Sequence, residues 1–338
     1  MSGSRADGKM RRRNFVKLSG VAGATGILGM LGADRVLADA GPGGGAPAVD
    51  APPHGGPPNG WPSGDWPSDG WPPDDGCRPP TPEPTPPPPP GGANCPAESF
   101  DCGYVNDTGP RVYLWEAVQV CEGQKPGPPF PSCLSTTLDY VIFNGGSGSD
   151  HDYLTVPSCR VKGIECPWIA TPAAPNYWLA AWNNAQQGAP GYVHYPQIGL
   201  GINSIGDRMQ DQLHIHMAGI LSGIQGQLNS VDSTITNNPA RWRNQFVRVV
   251  GRNAAGATDR RTYRALRVAD LNTNLFTLLR DYIVRPNNTT MGEQMLVVTP
   301  RLTGSGGFYV LNSQALMPIR PPGYPGGTGT SDLLLVYA

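Results

Sequence analysis

The chain has 338 residues, 45 of them Gly and 38 Pro, and only 15% are charged. From Gly41 to Asn94, 31 of 54 positions are Pro or Gly, which excludes a packed core there because proline removes backbone donors and glycine has no side chain to bury. With 25 basic against 26 acidic residues and no basic patch, the chain is not expected to bind nucleic acid.

Residues 1–40 read as a targeting segment. The stretch Arg11-Arg12-Arg13-Asn14-Phe15-Val16-Lys17 precedes a Gly-rich apolar run, Leu18 to Ala33, and then Ala38-Asp39-Ala40, an A-x-A cleavage pattern. The order Arg-Arg-x-Phe-Val-Lys resembles the twin-arginine export signal. Five glycines interrupt the 16-residue apolar run, too short a stretch to span a bilayer. Export is therefore expected, ending in the cell envelope or outside the cell. Residues 41–94 read as a disordered linker. It carries a Trp-Pro repeat at Trp61, Trp66 and Trp71, and then the run Pro86 to Pro90, a stiff polyproline II spacer. The Trp residues have two readings, a sticky surface for a cell wall or membrane, or a spacer without a partner; the second is preferred.

From Cys95 to Ala338 the texture is that of a folded domain. Short aliphatic or aromatic runs bounded mostly by Gly, Pro, Asn or Ser predict strands at 139–144, 153–156, 198–202, 213–217, 294–299, 307–311 and 333–337. Helical periodicity appears at 177–187, 220–228, 240–244 and 271–283. Without regular β-α-β alternation, this mixture predicts an α+β fold built on an antiparallel sheet. Of seven cysteines, Cys77 falls in the linker. The simplest pairing of the others in an exported protein is local: Cys95–Cys102, Cys121–Cys133 and Cys159–Cys166.

The chemistry-bearing motif is Gln210-Asp211-Gln212-Leu213-His214-Ile215-His216-Met217, which holds two of only five histidines. On a strand, Gln212, His214 and His216 share one face and Leu213, Ile215 and Met217 the other. One imidazole can attack phosphorus while the second binds a phosphoryl oxygen or orients the first. The same pair can hold zinc if His151, His194 or nearby carboxylates complete the set, or it can be structural.

Gln-Leu-His-Ile-His-Met is similar to the histidine-triad signature. A longer ordered set resembles the bacterial CDP-diacylglycerol pyrophosphatase family, a branch of that superfamily. The set comprises Pro157-Ser158-Cys159-Arg160-Val161-Lys162-Gly163-Ile164-Glu165-Cys166-Pro167, then Pro175-Asn176-Tyr177-Trp178-Leu179-Ala180-Ala181-Trp182, then Ile202-Asn203-Ser204 and Arg208 to His216. The resemblance spans roughly residues 118–315 and implies a histidine-triad-like antiparallel sheet with helices. It implies hydrolysis of CDP-diacylglycerol to CMP and phosphatidate through a nucleotidyl-histidine, with no cofactor or metal and a nucleotide-lipid as partner. Two registers place the nucleophile. If Gln212 stands for the first histidine, His214 attacks and His216 binds phosphate; if Ala218 stands for the third, His216 attacks. The first is preferred, because a Gln amide donates a hydrogen bond and an Ala side chain does not.

Further substrate-binding candidates are Asn203, Ser204, Arg208, Gln210, Asp211, Arg160 and Glu165, the arginines because a guanidinium suits bidentate phosphate recognition. Tyr177, Trp178 and Trp182 read as core. Two other functions stay open at this point: action on a different nucleotide pyrophosphate, and a catalytically weakened envelope-binding module.

Overall fold

A computed structural model describes residues 94–126, 132–145 and 152–336. Residues 1–40, read as an export signal, residues 41–93 of the segment read as a linker, with its Trp-Pro repeat and Cys77, and also His151 lie outside the described residues.

The described chain forms one ten-stranded sheet in which every paired neighbour is antiparallel. The strands are β1 (Cys133–Thr136), β2 (Tyr140–Asn144), β3 (Asp152–Pro157), β4 (Ile198–Ile202), β5 (Ile215–Ile220), β6 (Phe246–Arg252), β7 (Thr258–Val268), β8 (Gln294–Pro300), β9 (Phe308–Gln314) and β10 (Leu335–Val336). Their order is β1-β2-β3-β5-β4-β8-β9-β7-β6, with β10 pairing the end of β5. Mixed helix and antiparallel sheet is the α+β class expected from the sequence.

The helices cover both faces. On one face lie α2 (Tyr177–Asn184) and α4 (Leu275–Leu279), the latter continuing through a π-helical turn, Arg280–Val284. Asn176 and Asn274 cap these two helices: each side-chain oxygen accepts a backbone N–H from the first turn, 3.3 Å from Leu179 and 2.9 Å from Phe276. Trp178 and Phe276 meet with ring centroids 5.5 Å apart, in the core that also takes Leu213, Ile215, Met217, Leu200 and Leu296. The opposite face is covered in two places. Helix α1 (Tyr113–Cys121) packs Leu114, Trp115 and Val118 with Val141, Phe143 and Val156. Helix α3 (Ser222–Ser230) packs Ile224 and Leu228 in a cluster with Ala218, Ile220, Val249 and Leu311.

Cross-strand partners point to the same face. His216 lies opposite Leu154 on β3 and Gly201 on β4. Leu154 packs against the α1 cluster, and Ala218, two residues beyond His216, belongs to the α3 cluster. The histidines therefore sit on the face shared by α1 and α3, between the two clusters.

Three expectations are corrected. The cysteines pair as Cys95–Cys159 and Cys102–Cys166, not locally, while Cys121–Cys133 pairs as expected. The chain from Asn94 to Gly103 lies against the segment 159–166, where Lys162 N donates to Cys102 O at 2.9 Å, so the nearest sulfurs in space are 64 residues away in sequence. Strand β5 runs Ile215–Ile220 instead of 213–217, because Leu213 N donates to Val161 O ahead of the ladder and residues 219–220 find partners on β10. The hairpin β6–β7 was not expected at all, nor were α1 and β1. Thr-Asp-Arg-Arg-Thr-Tyr-Arg reads as polar, yet β7 is the longest strand, since its first half pairs only with the half-solvated edge strand β6.

Candidate active site

The site begins where β5 begins. His214 is 8% exposed and Gln212 wholly buried, while His216 is half-buried. The two imidazoles lie edge to face with centroids 5.0 Å apart. His214 Nδ1 lies 2.7 Å from the backbone oxygen of Gln212. A carbonyl only accepts, so Nδ1 carries the proton and Nε2 keeps its lone pair. Burial pushes the His214 pKa down to about 3; His216 and Arg208 push the same way, against the Gln212 carbonyl and the Asp332 carboxylate. At neutral pH the ring is uncharged, with one nitrogen available to attack an electrophile.

Gln212 is used entirely by the scaffold. Its Oε1 accepts from Arg160 Nη1 at 3.0 Å and Val161 N at 3.3 Å. Its Nε2 donates to the carbonyls of Pro157 at 3.1 Å and Cys159 at 2.8 Å. The side chain thus ties the start of β5 to the segment after β3.

Both candidate phosphate-binding arginines are committed in the same way. Arg208 meets Glu165 through both terminal nitrogens, at 2.5 and 2.6 Å, and Asp211 through Nε and Nη2, at 3.1 and 2.9 Å. Arg160 donates to Asp107 through Nε and Nη2 and to the Asp211 carbonyl through Nη1. Burial opposes both charges. For Arg208 the carboxylates of Glu165 and Asp211 outweigh it and raise the pKa, whereas for Arg160 burial prevails and lowers it. Gly163 is required here by close approach, since a Cβ at that position would overlap the Arg208 guanidinium. Gln210 is also structural, its Oε1 accepting from Leu114 N at 3.1 Å. The Cys95–Cys159 and Cys102–Cys166 bonds brace the segment that carries Arg160 and Glu165. The network therefore orients His214 from behind, and every guanidinium nitrogen in it bonds to protein.

Asn203 and Ser204 lie at the end of β4, next to β5. Asn203 Oδ1 accepts from Ser331 N and Ser331 Oγ, both at 2.7 Å, and its Nδ2 has no partner among the described residues. Ser204 Oγ donates to Asp207 at 2.8 Å, and Ser204 N donates to Gly329 O at 2.8 Å. These bonds hold the segment 329–335 against β4. Gly201 permits it: a Cβ there would stand 2.7 Å from both Ser331 Cβ and Leu335 Cδ1, closer than packed atoms approach. The exposed Asp332 carboxylate thus reaches His214 electrostatically.

The structure therefore gathers His214, His216, Asn203, Ser204, Arg208, Asp211 and Gln212 at one end of the sheet, with Arg160, Glu165 and Gln210 bracing them. Sequence reasoning missed Asp107, Ser331 and Asp332; only the Gly at 201 in Ile-Gly-Leu-Gly-Ile hinted that another segment crosses β4. Tyr177 and Trp178 are core, as expected. His194 is exposed, its ring tilted against that of Tyr192 with centroids 4.0 Å apart. Among the described residues no three His, Cys, Asp or Glu side chains gather to hold a metal ion.

A comparison with protein-family models matches residues 110–319, more than half of the chain, to the family described as CDP-diacylglycerol pyrophosphatase. The match includes every site candidate from Arg160 to His216 and stops before Ser331 and Asp332.

Proposed function

The chain belongs to the CDP-diacylglycerol pyrophosphatase family and is a hydrolase, and from that premise we propose that it cleaves CDP-diacylglycerol to CMP and phosphatidate with His214 as nucleophile. The observation that carries this assignment is the 2.7 Å bond from His214 Nδ1–H to the Gln212 carbonyl, which leaves Nε2 as the attacking atom. Nε2 forms a bond to the cytidine-side phosphorus while the bridging P–O bond breaks, and the electron pair leaves with phosphatidate. Water then attacks the same phosphorus, the P–N bond returns its pair to Nε2, and CMP departs with the water oxygen; the water protons pass to solvent. Splitting one displacement into two lowers each barrier, and holding the ring by the carbonyl fixes its aim. His216, beside it on the same face, binds a phosphoryl oxygen. Gln212, in the position of a first histidine, positions the nucleophile through its backbone and side chain. Asn203, through its Nδ2, is a donor for the nucleotide or its phosphates.

Export through residues 1–40, with 41–94 as spacer, belongs to the same proposal. Among the described residues no helix is long and apolar enough to cross a membrane.

The experiment is CMP release from CDP-diacylglycerol and from a panel of nucleotide pyrophosphates, with metal chelator present. Wild type should release CMP and His214→Ala should lose at least about a thousandfold in turnover. Near-normal turnover in His214→Ala with loss in His216→Ala would transfer the nucleophile to His216. Preference for a soluble nucleotide pyrophosphate would replace the lipid as substrate.

A further inference from the structure

A diacyl substrate keeps its chains in a bilayer, so an enzyme acting on its diphosphate has to bring the histidines to a lipid surface. Among the described residues ten large apolar side chains are exposed, and five of them, Phe100, Tyr104, Tyr113, Ile205 and Met209, lie in the β4–β5 connection or in segments tied to it and to the start of β5. Ile205 and Met209 belong to the β4–β5 connection itself, and Met209 is 61% exposed. Tyr113 is placed beside that connection by the bond from Leu114 N to Gln210 Oε1. Phe100, 77% exposed, is held by Lys162, whose Nζ donates to its carbonyl and lies 4.4 Å from its ring centroid. Lys162 follows Val161, whose carbonyl accepts from Leu213 N, next to His214. Tyr104 N donates to Asp107, which also binds Arg160. All five therefore belong to segments bonded to the start of β5.

Two cations accompany them. Arg111 is exposed and bonded to the Arg208 carbonyl and Asp211, and Lys162 stands over Phe100. Protein surfaces in water seldom gather exposed Phe, Ile and Met in one place without a partner. Apolar and aromatic side chains with interspersed Lys and Arg fit the boundary between headgroups and acyl chains, where the rings enter and the cations meet lipid phosphates.

We infer that this rim docks on an anionic phospholipid bilayer, with Phe100, Tyr113, Ile205 and Met209 entering the interface beside the histidines. The inference rests on the reading of His214 as acting on a lipid diphosphate, and it adds where the protein meets the lipid.

The test is co-sedimentation of the full chain with vesicles of phosphatidylcholine and phosphatidylglycerol, alongside CMP release from CDP-diacylglycerol in those vesicles and from a soluble short-chain analogue. Phe100→Asp/Met209→Asp should weaken partitioning about tenfold or more and raise KM for the vesicle substrate by a similar factor, leaving kcat on the short-chain analogue unchanged. Ile205→Asp alone should act in the same direction. Leu302→Asp, which alters an exposed side chain past the far end of β8, at the opposite end of the sheet, should partition like wild type. The Trp61, Trp66 and Trp71 segment is present throughout, so its own contribution cancels. Equal partitioning of the rim variant and wild type overturns the inference, as does a larger loss in the Leu302 variant. Rim-dependent partitioning without CMP release from either substrate would uphold the docking surface and refute the hydrolytic reading.

Discussion

Replacing Gln212 with Leu separates scaffold from chemistry at this site. Leucine approximates the volume of glutamine but carries no amide, so nothing else need move. In the folded protein Pro157 O and Cys159 O lose their donor, Val161 N loses an acceptor, and Arg160 Nη1 keeps only the Asp211 carbonyl. Gln212 has no exposed surface, so water does not replace these partners. Each buried orphan costs about 1–3 kcal/mol; three backbone groups, less about 1 kcal/mol for the added apolar surface, give a loss of about 2–8 kcal/mol. That is a large part of the 5–15 kcal/mol typical of a folded domain. Urea unfolding measures it as a lower midpoint at unchanged slope. A loss below about 1 kcal/mol, accompanied by a thousandfold fall in turnover, would refute the reasoning, because the amide would then be serving substrate and not β5.

Three further outcomes are expected. Folded His214 stays neutral down to about pH 3, whereas the unfolded ring takes a proton near 6.5. Between those values the unfolded state binds more protons, so stability falls as pH falls, by up to about 1.4 kcal/mol per pH unit from this group. His214→Gln should flatten that slope in urea titrations at pH 6.5, 5.5 and 4.5, and an unchanged slope would contradict a buried neutral ring. Peptide mapping under non-reducing conditions should recover Cys95–Cys159 and Cys102–Cys166. Removing either bond while the other stays should cost about 3 kcal/mol by loop entropy, since the remaining bond leaves a loop of only about 14 residues to close, and recovery of a Cys95–Cys102 peptide would overturn the pairing. Gly201→Val should push Ser331 and Leu335 off β4, exposing the C-terminal segment to limited proteolysis and reducing turnover; intact protease resistance would mean the segment has room to spare.

The alternation Gln212-Leu213-His214-Ile215-His216-Met217 is local, and so the two faces of β5 were legible. Period-two patterning fixes which side chains share a face, and the apolar set does enter one core. Strand β4 was legible to the residue, since Ile198–Ile202 is a short apolar run cut off by Asn203 and Ser204. The hairpin β6–β7 was not, because an edge strand needs only one apolar face and its partner's early residues carry charge into solvent. The roles of Arg160 and Arg208 were not legible either. A guanidinium looks the same in a sequence whether it faces phosphate or carboxylate, and only the fold brings Asp107, Glu165 and Asp211 to them.

By itself the sequence determined the class of the domain, the face that presents the histidines and the family to which the chain belongs, because periodicity and ordered motifs depend on neighbours along the chain. Tertiary structure decided everything that depends on neighbours in space. It set the tautomer of His214 through the Gln212 carbonyl, gave Gln212, Arg160 and Arg208 to the scaffold, and joined Cys95 to Cys159 and Cys102 to Cys166. It also laid Ser331 and Asp332 beside a strand more than a hundred residues earlier. Hydrogen bonds, ion pairs and disulfides act over a few ångströms, and only the folded chain brings these partners within that range.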